Sequence, residues 1–102
     1  MKILHFIKDN TLYIQLQGEL DSYAAANVKD TMDTILSQFN ACMTVLDLQQ
    51  LIFMDSTGLG VILGRYKKIK AMGNNVCISN PPIHIDKLLQ LSGIYSIIPK
   101  IN

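Results

Sequence analysis

Alternating apolar and polar residues mark two short strands at the start of the chain. Leu12, Ile14 and Leu16 alternate with Tyr13 and two glutamines, which is the pattern of a half-buried strand. The apolar segment 3–7 precedes it and reads as another short strand. Because the polar run 8–11 separates the two, the pattern predicts a β-hairpin.

Two later segments have apolar residues at helical spacing. The first follows a break at 18–22, where Asp21 or Ser22 can cap a helix, and we expect it to end near Asn40. Its apolar positions are Val28, Met32, Ile35, Leu36 and Phe39. The second begins near Ser56 and ends at Gly73. Its apolar positions are Leu59, Ile62, Leu63, Tyr66 and Ile69, and the cations Arg65, Lys67, Lys68 and Lys70 occupy its C-terminal half, where the helix dipole favours them.

The remaining apolar runs complete an alternating order of strands and helices. Residues 43–48 predict a buried parallel strand, 51–54 continue the apolar path, and 76–78 predict a short strand. Leucines and isoleucines between 85 and 91 predict a third helix, whereas 94–101 fit either a short helix or an edge strand. The order β-β-α-β-α-β-α predicts one α/β domain over residues 1–102, with a mixed sheet flanked by helices.

Composition and charge exclude several classes of protein. A net charge of +1 argues against a nucleic-acid-binding surface. No apolar run approaches the roughly 20 residues that span a bilayer, and the first residues lack a signal-peptide pattern, so we expect a cytoplasmic protein. Cys42 and Cys77 have no metal-site spacing and are expected to be reduced, largely buried thiols.

The sequence gives little support for an enzyme. The segment 54–58 lacks the leading glycine of a nucleophile elbow, and only His5 and His84 are available as bases, each better explained as structural or solvent-facing. No lysine and hydroxyl follow a glycine at phosphate-loop spacing. We therefore expect no catalytic residues, no cofactor and no metal.

The junction Asp55-Ser56-Thr57 is the best candidate for a functional site. A helix N-terminus favours an anion, so Ser56 can act as a helix cap or carry a phosphate, and the pattern alone favours the cap. Gly60 and Gly64 share one helix face although each costs about 1 kcal/mol of helix propensity. Either they pack closely against the sheet, or they leave a face that a partner protein can approach.

The segment from Phe53 to Lys67 resembles the signature of the STAS-domain anti-anti-sigma factors, especially the sporulation anti-sigma F factor antagonists. The Gly-Glu-Leu-Asp loop at 18–21 and the segment 91–94 resemble the same family, so the likeness extends over the whole chain in order. The resemblance implies a small mixed sheet flanked by helices, and a partner that is both an anti-sigma factor and an ATP-dependent serine kinase.

The resemblance also implies a switch by phosphorylation. Unphosphorylated antagonist binds the kinase, which then releases its sigma factor; phosphorylation of Ser56 abolishes the binding, and a PP2C-type phosphatase reverses it. The implied partner-binding residues are Asp21, Ser22, Asp55, Ser56, Thr57, Gly58, Leu59, Gly60 and Gly64. Two alternatives stay open: a STAS antagonist of a stress-response or transporter-associated assembly, and a small nucleotide-binding protein.

Overall fold

The computed structural model describes residues 1–102 and begins with the predicted hairpin. Strand β1 (Lys2–Lys8) pairs antiparallel with β2 (Thr11–Leu20) in an unbroken register along the whole of β1. Asp9 and Asn10 at the turn have φ values of 52° and 58°. Two successive residues with positive φ are the mark of a type I′ turn, whose twist matches that of the paired strands.

The hairpin continues into a mixed sheet of five strands. The order is β1-β2-β3-β5, where β3 is Met43–Asp47 and β5 is Asn75–Ser79, and both run parallel to β2. Strand β4 (Leu51–Met54) pairs in parallel with the end of β2, after a register shift at Gly18 and Glu19. The sequence pattern did not predict β4 as a strand, because four residues are too few to establish an alternation.

Three helices pack against the sheet: α1 (Ala25–Gln38), α2 (Ser56–Ala71) and α3 (Ile83–Ser92). All three contribute side chains to one core of 21 buried residues, together with alternate residues of the strands. The C-terminal stretch, for which a short helix or an edge strand was predicted, contains a 3₁₀ turn over 94–96 and one isolated parallel bridge between Ile78 and Lys100. None of the helices is long and apolar enough to cross a membrane.

Arg65 is buried, unlike the three lysines that share the C-terminal half of α2 with it. Its side chain is 8% exposed, and its Nε lies 2.9 Å from Asp33 Oδ1 on α1, which Lys68 Nζ also approaches at 3.5 Å. The Arg65 contact is a charge pair rather than a hydrogen bond, because its geometry does not direct the N–H at the oxygen. Arg65 therefore lies at the contact between α1 and α2.

The two cysteines differ in burial, so the prediction holds for only one of them. Cys77 is buried on β5, and burial raises the pKa of its thiol. Cys42 is exposed in the loop between α1 and β3, where Asn10 Nδ2 donates to its Sγ at 2.7 Å. The expectation that Cys42 is buried was wrong, because its neighbour Ala41 is the residue of this loop that packs into the core. Both thiols are free.

Candidate functional site

The candidate site lies where two neighbouring parallel strands end. Leu20, the last residue of β2, pairs with Met54, the last residue of β4. The residues that follow, Asp21 and Asp55, therefore emerge at the same edge of the sheet. This pairing brings together the loop before α1 and the first turn of α2, which are far apart in sequence.

Asp55, and not Ser56, is the N-cap of α2. The Asp55 backbone is extended, and its Oδ1 accepts a hydrogen bond of 2.9 Å from the Gly58 amide. Ser56 is the first helical residue and is exposed. The prediction of Ser56 as a plain cap is therefore wrong. The Ser56 hydroxyl takes no part in the cap, and it lies at the positive end of the helix dipole.

Asp21 organises the loop that precedes α1. Its Oδ1 accepts hydrogen bonds from the Tyr23 and Ala24 amides, at 3.1 Å and 3.0 Å. The carboxylate thus caps a turn rather than the helix itself, since α1 starts at Ala25 and its N-cap residue, Ala24, makes no side-chain cap. Ser22 is exposed and caps nothing. The loop carries Asp21 at a fixed place beside the start of α2.

Gly58 has a packing role that the sequence did not separate from the other glycines. It is buried, and a Cβ at this position would overlap the Leu20 carbonyl oxygen and lie 2.8 Å from Leu20 Cγ. Only glycine lets the first turn of α2 approach the end of β2 so closely. The expectation that a partner contacts Gly58 is not supported by this burial, and Gly58 instead holds the two halves of the site together.

Gly60 and Gly64 have no such packing partner. An ideal Cβ at either position would meet no atom within 4 Å, apart from the glycine's neighbours and the helix's own backbone. The explanation by close packing against the sheet is therefore wrong for both. They leave a strip of helix surface without side chains, which begins next to the exposed Ser56 and Thr57, and Leu59 beside it is partly buried against the core.

A shallow cavity of about 470 Å³ lies next to the Asp21 loop. Its lining includes Glu19 and Tyr23, two residues that the sequence analysis did not select. Tyr23 is 95% exposed, an unusual position for a large aromatic side chain. Its place immediately after the Gly-Glu-Leu-Asp-Ser loop was the one available signal, since tyrosine is enriched at protein interfaces.

The site carries carboxylates that have no salt-bridge partner. Three carboxylates, of Glu19, Asp21 and Asp55, lie around the ends of β2 and β4, and no lysine or arginine forms a salt bridge with them. No group of three or more His, Cys, Asp or Glu side chains is placed to hold a metal ion.

His84, one of the two histidines considered as a base, lies on α3 and is exposed. Its Nε2 lies 2.6 Å from the Ile52 carbonyl oxygen, and this contact links α3 to β4.

A family model, a sequence relative and solved structures all match this chain over most of its length. The family model described as the STAS domain matches residues 5–102. The anti-sigma F factor antagonist of Paenibacillus polymyxa is 46% identical over 90 residues, which cover 86% of this chain and 75% of that protein. The unphosphorylated form of the anti-sigma factor antagonist SpoIIAA superposes with a TM-score of 0.81 at 26% identity, covering 99% of this chain and 89% of the other.

The phosphorylated form of SpoIIAA from Bacillus superposes with a TM-score of 0.73 at 26% identity, covering 99% of this chain and 92% of the other. The sheet and its flanking helices are therefore those of the expected fold class.

Proposed function

Because the chain belongs to the STAS family, we propose that it is an anti-anti-sigma factor formed by a single STAS domain. In its unphosphorylated form it binds an anti-sigma factor that is also a serine kinase, and this binding releases the sporulation sigma factor. The proposal is supported by the match over residues 5–102 and by the 46% identical relative named anti-sigma F factor antagonist. The chain acts by binding in the cytoplasm and catalyses no reaction itself.

The observation that carries the proposal is the position of Ser56. Asp55 supplies the helix cap, so the Ser56 hydroxyl is exposed and available to an enzyme. Phosphorylation would leave the cap in place, and the dipole of α2 would stabilise the added anion. The modified protein should therefore keep its fold while its surface changes.

Phosphorylation changes the surface chiefly through charge. A phosphoserine adds about −1.5 to −2 charges at neutral pH. Ser56 lies directly beside the cap Asp55, and the loop of Asp21 lies at the same edge of the sheet. A partner surface complementary to the unmodified site would meet a much more negative field, so binding is lost without any need to unfold the helix.

The chemistry of the switch belongs to the partner. The Ser56 Oγ attacks the γ-phosphorus of ATP, the new O–P bond forms as the bond to the β,γ-bridging oxygen breaks, and ADP leaves. The hydroxyl proton passes to a base of the kinase, which also holds the Mg²⁺ and the nucleotide. A PP2C-type phosphatase hydrolyses the phosphoserine and restores the binding form.

Besides Ser56, the proposed partner-binding surface comprises seven residues of the two loops and of α2: Asp21, Ser22, Asp55, Thr57, Leu59, Gly60 and Gly64.

The test is phosphorylation by an anti-sigma F kinase with ATP, followed by intact-mass analysis and fragment mapping. We expect one added phosphoryl group on Ser56, none on Ser56→Ala, and normal modification of the matched control Thr57→Ala, since Thr57 is also an exposed residue. Modification of Ser56→Ala would move the site to Thr57. No modification of the wild type by a kinase that is active on another antagonist would refute the assignment to this branch of the family.

A further inference from the structure

Strand β1 is an uncovered edge of the sheet. It pairs with β2 on one side and with no strand on the other, and six of its seven residues are exposed. Protein edges are usually protected by shortness, proline, a bulge or charged residues. Strand β1 has no proline, and its register with β2 has no bulge. Its only protective residues are the lysines at its two ends.

The opposite edge of the sheet is covered by the chain itself. Residues 99–102 lie along β5, where the Ile78 amide donates to the Pro99 carbonyl at 2.9 Å and the Ile101 amide donates to the Ile78 carbonyl at 2.9 Å. The Asn80 amide adds a third bond, to the Asn102 carbonyl at 3.1 Å. One edge thus already accepts an extended segment, and β1 is the edge that has none.

The face of β1 that points away from the helices has a distinct chemical pattern. Because side chains alternate along a strand, Lys2, Leu4, Phe6 and Lys8 share this face. Leu4 and Phe6 are 40% and 49% exposed, and the Phe6 ring stacks on Tyr13 with a centroid distance of 4.7 Å. Neither lysine forms a salt bridge. Two apolar side chains are therefore flanked by two unpaired cations.

These charges disfavour a second copy of the chain as the occupant. Closed pairing of two β1 strands is antiparallel, and the full-length register centred on His5 sets Lys2 opposite Lys8 twice. Like charges directly opposite each other destabilise a strand pair. A carboxylate on the same face of the sheet could offset this repulsion. Strand β3 has one there, that of Asp47, but it already accepts hydrogen bonds from Gln15 Nε2 at 3.3 Å and from the Gln49 amide at 3.1 Å.

We infer that β1 is a docking edge for an extended acidic segment of a partner protein. The segment adds as a strand beside β1 and carries two acidic residues six positions apart, which meet Lys2 and Lys8. Between them, two apolar side chains at alternate positions extend the surface of Leu4 and Phe6. Backbone hydrogen bonds provide affinity in this mode of recognition, and the side-chain pattern provides specificity.

The experiment is an NMR titration of the full chain with the blocked heptapeptide Glu-Thr-Val-Thr-Val-Thr-Glu. A second peptide with lysine at both ends is the control. We expect saturable shifts and added hydrogen-exchange protection at the β1 amides with the acidic peptide. Binding of the lysine peptide should be roughly tenfold weaker, because two cross-strand charge pairs change sign.

Charge reversal in the protein completes the test. The variant Lys2→Glu/Lys8→Glu should prefer the lysine peptide, whereas the matched control Lys29→Glu/Lys87→Glu, altered at exposed lysines on α1 and α3, should keep the wild-type preference. Equal binding of both peptides, or no saturable change at β1, would overturn the inference. A homodimer would also overturn it, if sedimentation equilibrium shows the dimer and hydrogen exchange shows that the β1 amides are protected in it. No kinase is involved, so failure here leaves the proposed function untouched.

Discussion

Replacing Gly60 or Gly64 by alanine should stabilise the fold while weakening partner binding. Glycine inside a helix costs about 1 kcal/mol relative to alanine. Both positions lie within α2, and the space where a Cβ would stand is empty to 4 Å. No steric cost therefore offsets the gain in helix propensity, and each variant should be about 1 kcal/mol more stable.

This gain is large enough to measure by standard methods. For a domain of this size, about 1 kcal/mol raises Tm by roughly 4–8 °C. Urea unfolding followed by circular dichroism should show a higher midpoint with an unchanged m-value, because the surface exposed on unfolding is nearly the same. Gly58→Ala is the matched control in the same helix. Its Cβ would overlap the Leu20 carbonyl oxygen, so this variant should lose about 1–3 kcal/mol.

Measuring binding to the proposed partner, the anti-sigma kinase, distinguishes a role of the strip in binding from its effect on stability. A methyl group on a closely approached surface should reduce affinity by roughly tenfold, or about 1.4 kcal/mol. Destabilisation by Gly60→Ala would refute the reasoning about open space at that position. A stabilised variant that binds the kinase like wild type would show that the partner does not contact the strip.

Three other predictions follow from the capping and hydrogen-bonding patterns. Asp55→Ala should cost about 1 kcal/mol in urea unfolding because it removes the α2 cap, whereas Ser56→Ala should cost much less; equal costs would contradict the cap assignment. Ser56→Asp should keep the wild-type circular dichroism spectrum but lose kinase binding in a direct titration, and wild-type affinity would refute the charge mechanism. The Tyr95 hydroxyl, 2.6 Å from Asp86 Oδ1, lowers the pKa of that carboxyl, while burial raises the pKa of Tyr95. The Asp86 contribution to stability is thus present above its unfolded pKa of about 3.9 and is lost as the pH falls through the lower folded value. The Tyr95 contribution is present below its unfolded pKa of about 10 and is lost at higher pH. Tyr95→Phe should flatten both dependences in pH-resolved urea unfolding, and unchanged profiles would contradict this linkage.

Local patterns in the sequence were sufficient to predict the strands and helices that have a strong hydrophobic periodicity. The hairpin follows from alternation and a turn that Asp9 and Asn10 can adopt, and the two longer helices follow from apolar residues at helical spacing. These features depend on neighbours in the chain, so no tertiary information is needed. The functional assignment came from a motif rather than from periodicity, because a serine at a predicted helix start is by itself better explained as a plain cap.

The tertiary structure decided what depends on contacts between distant residues. Strand β4 exists because the end of β2 pairs with it, and Arg65 is buried because Asp33 on α1 lies beside it. The sequence shows three glycines in the segment that forms α2. Only the packing separated Gly58, which fits against Leu20, from Gly60 and Gly64, which face open space. A glycine reads the same in sequence in both settings, since its role is set by the atoms that surround the missing side chain.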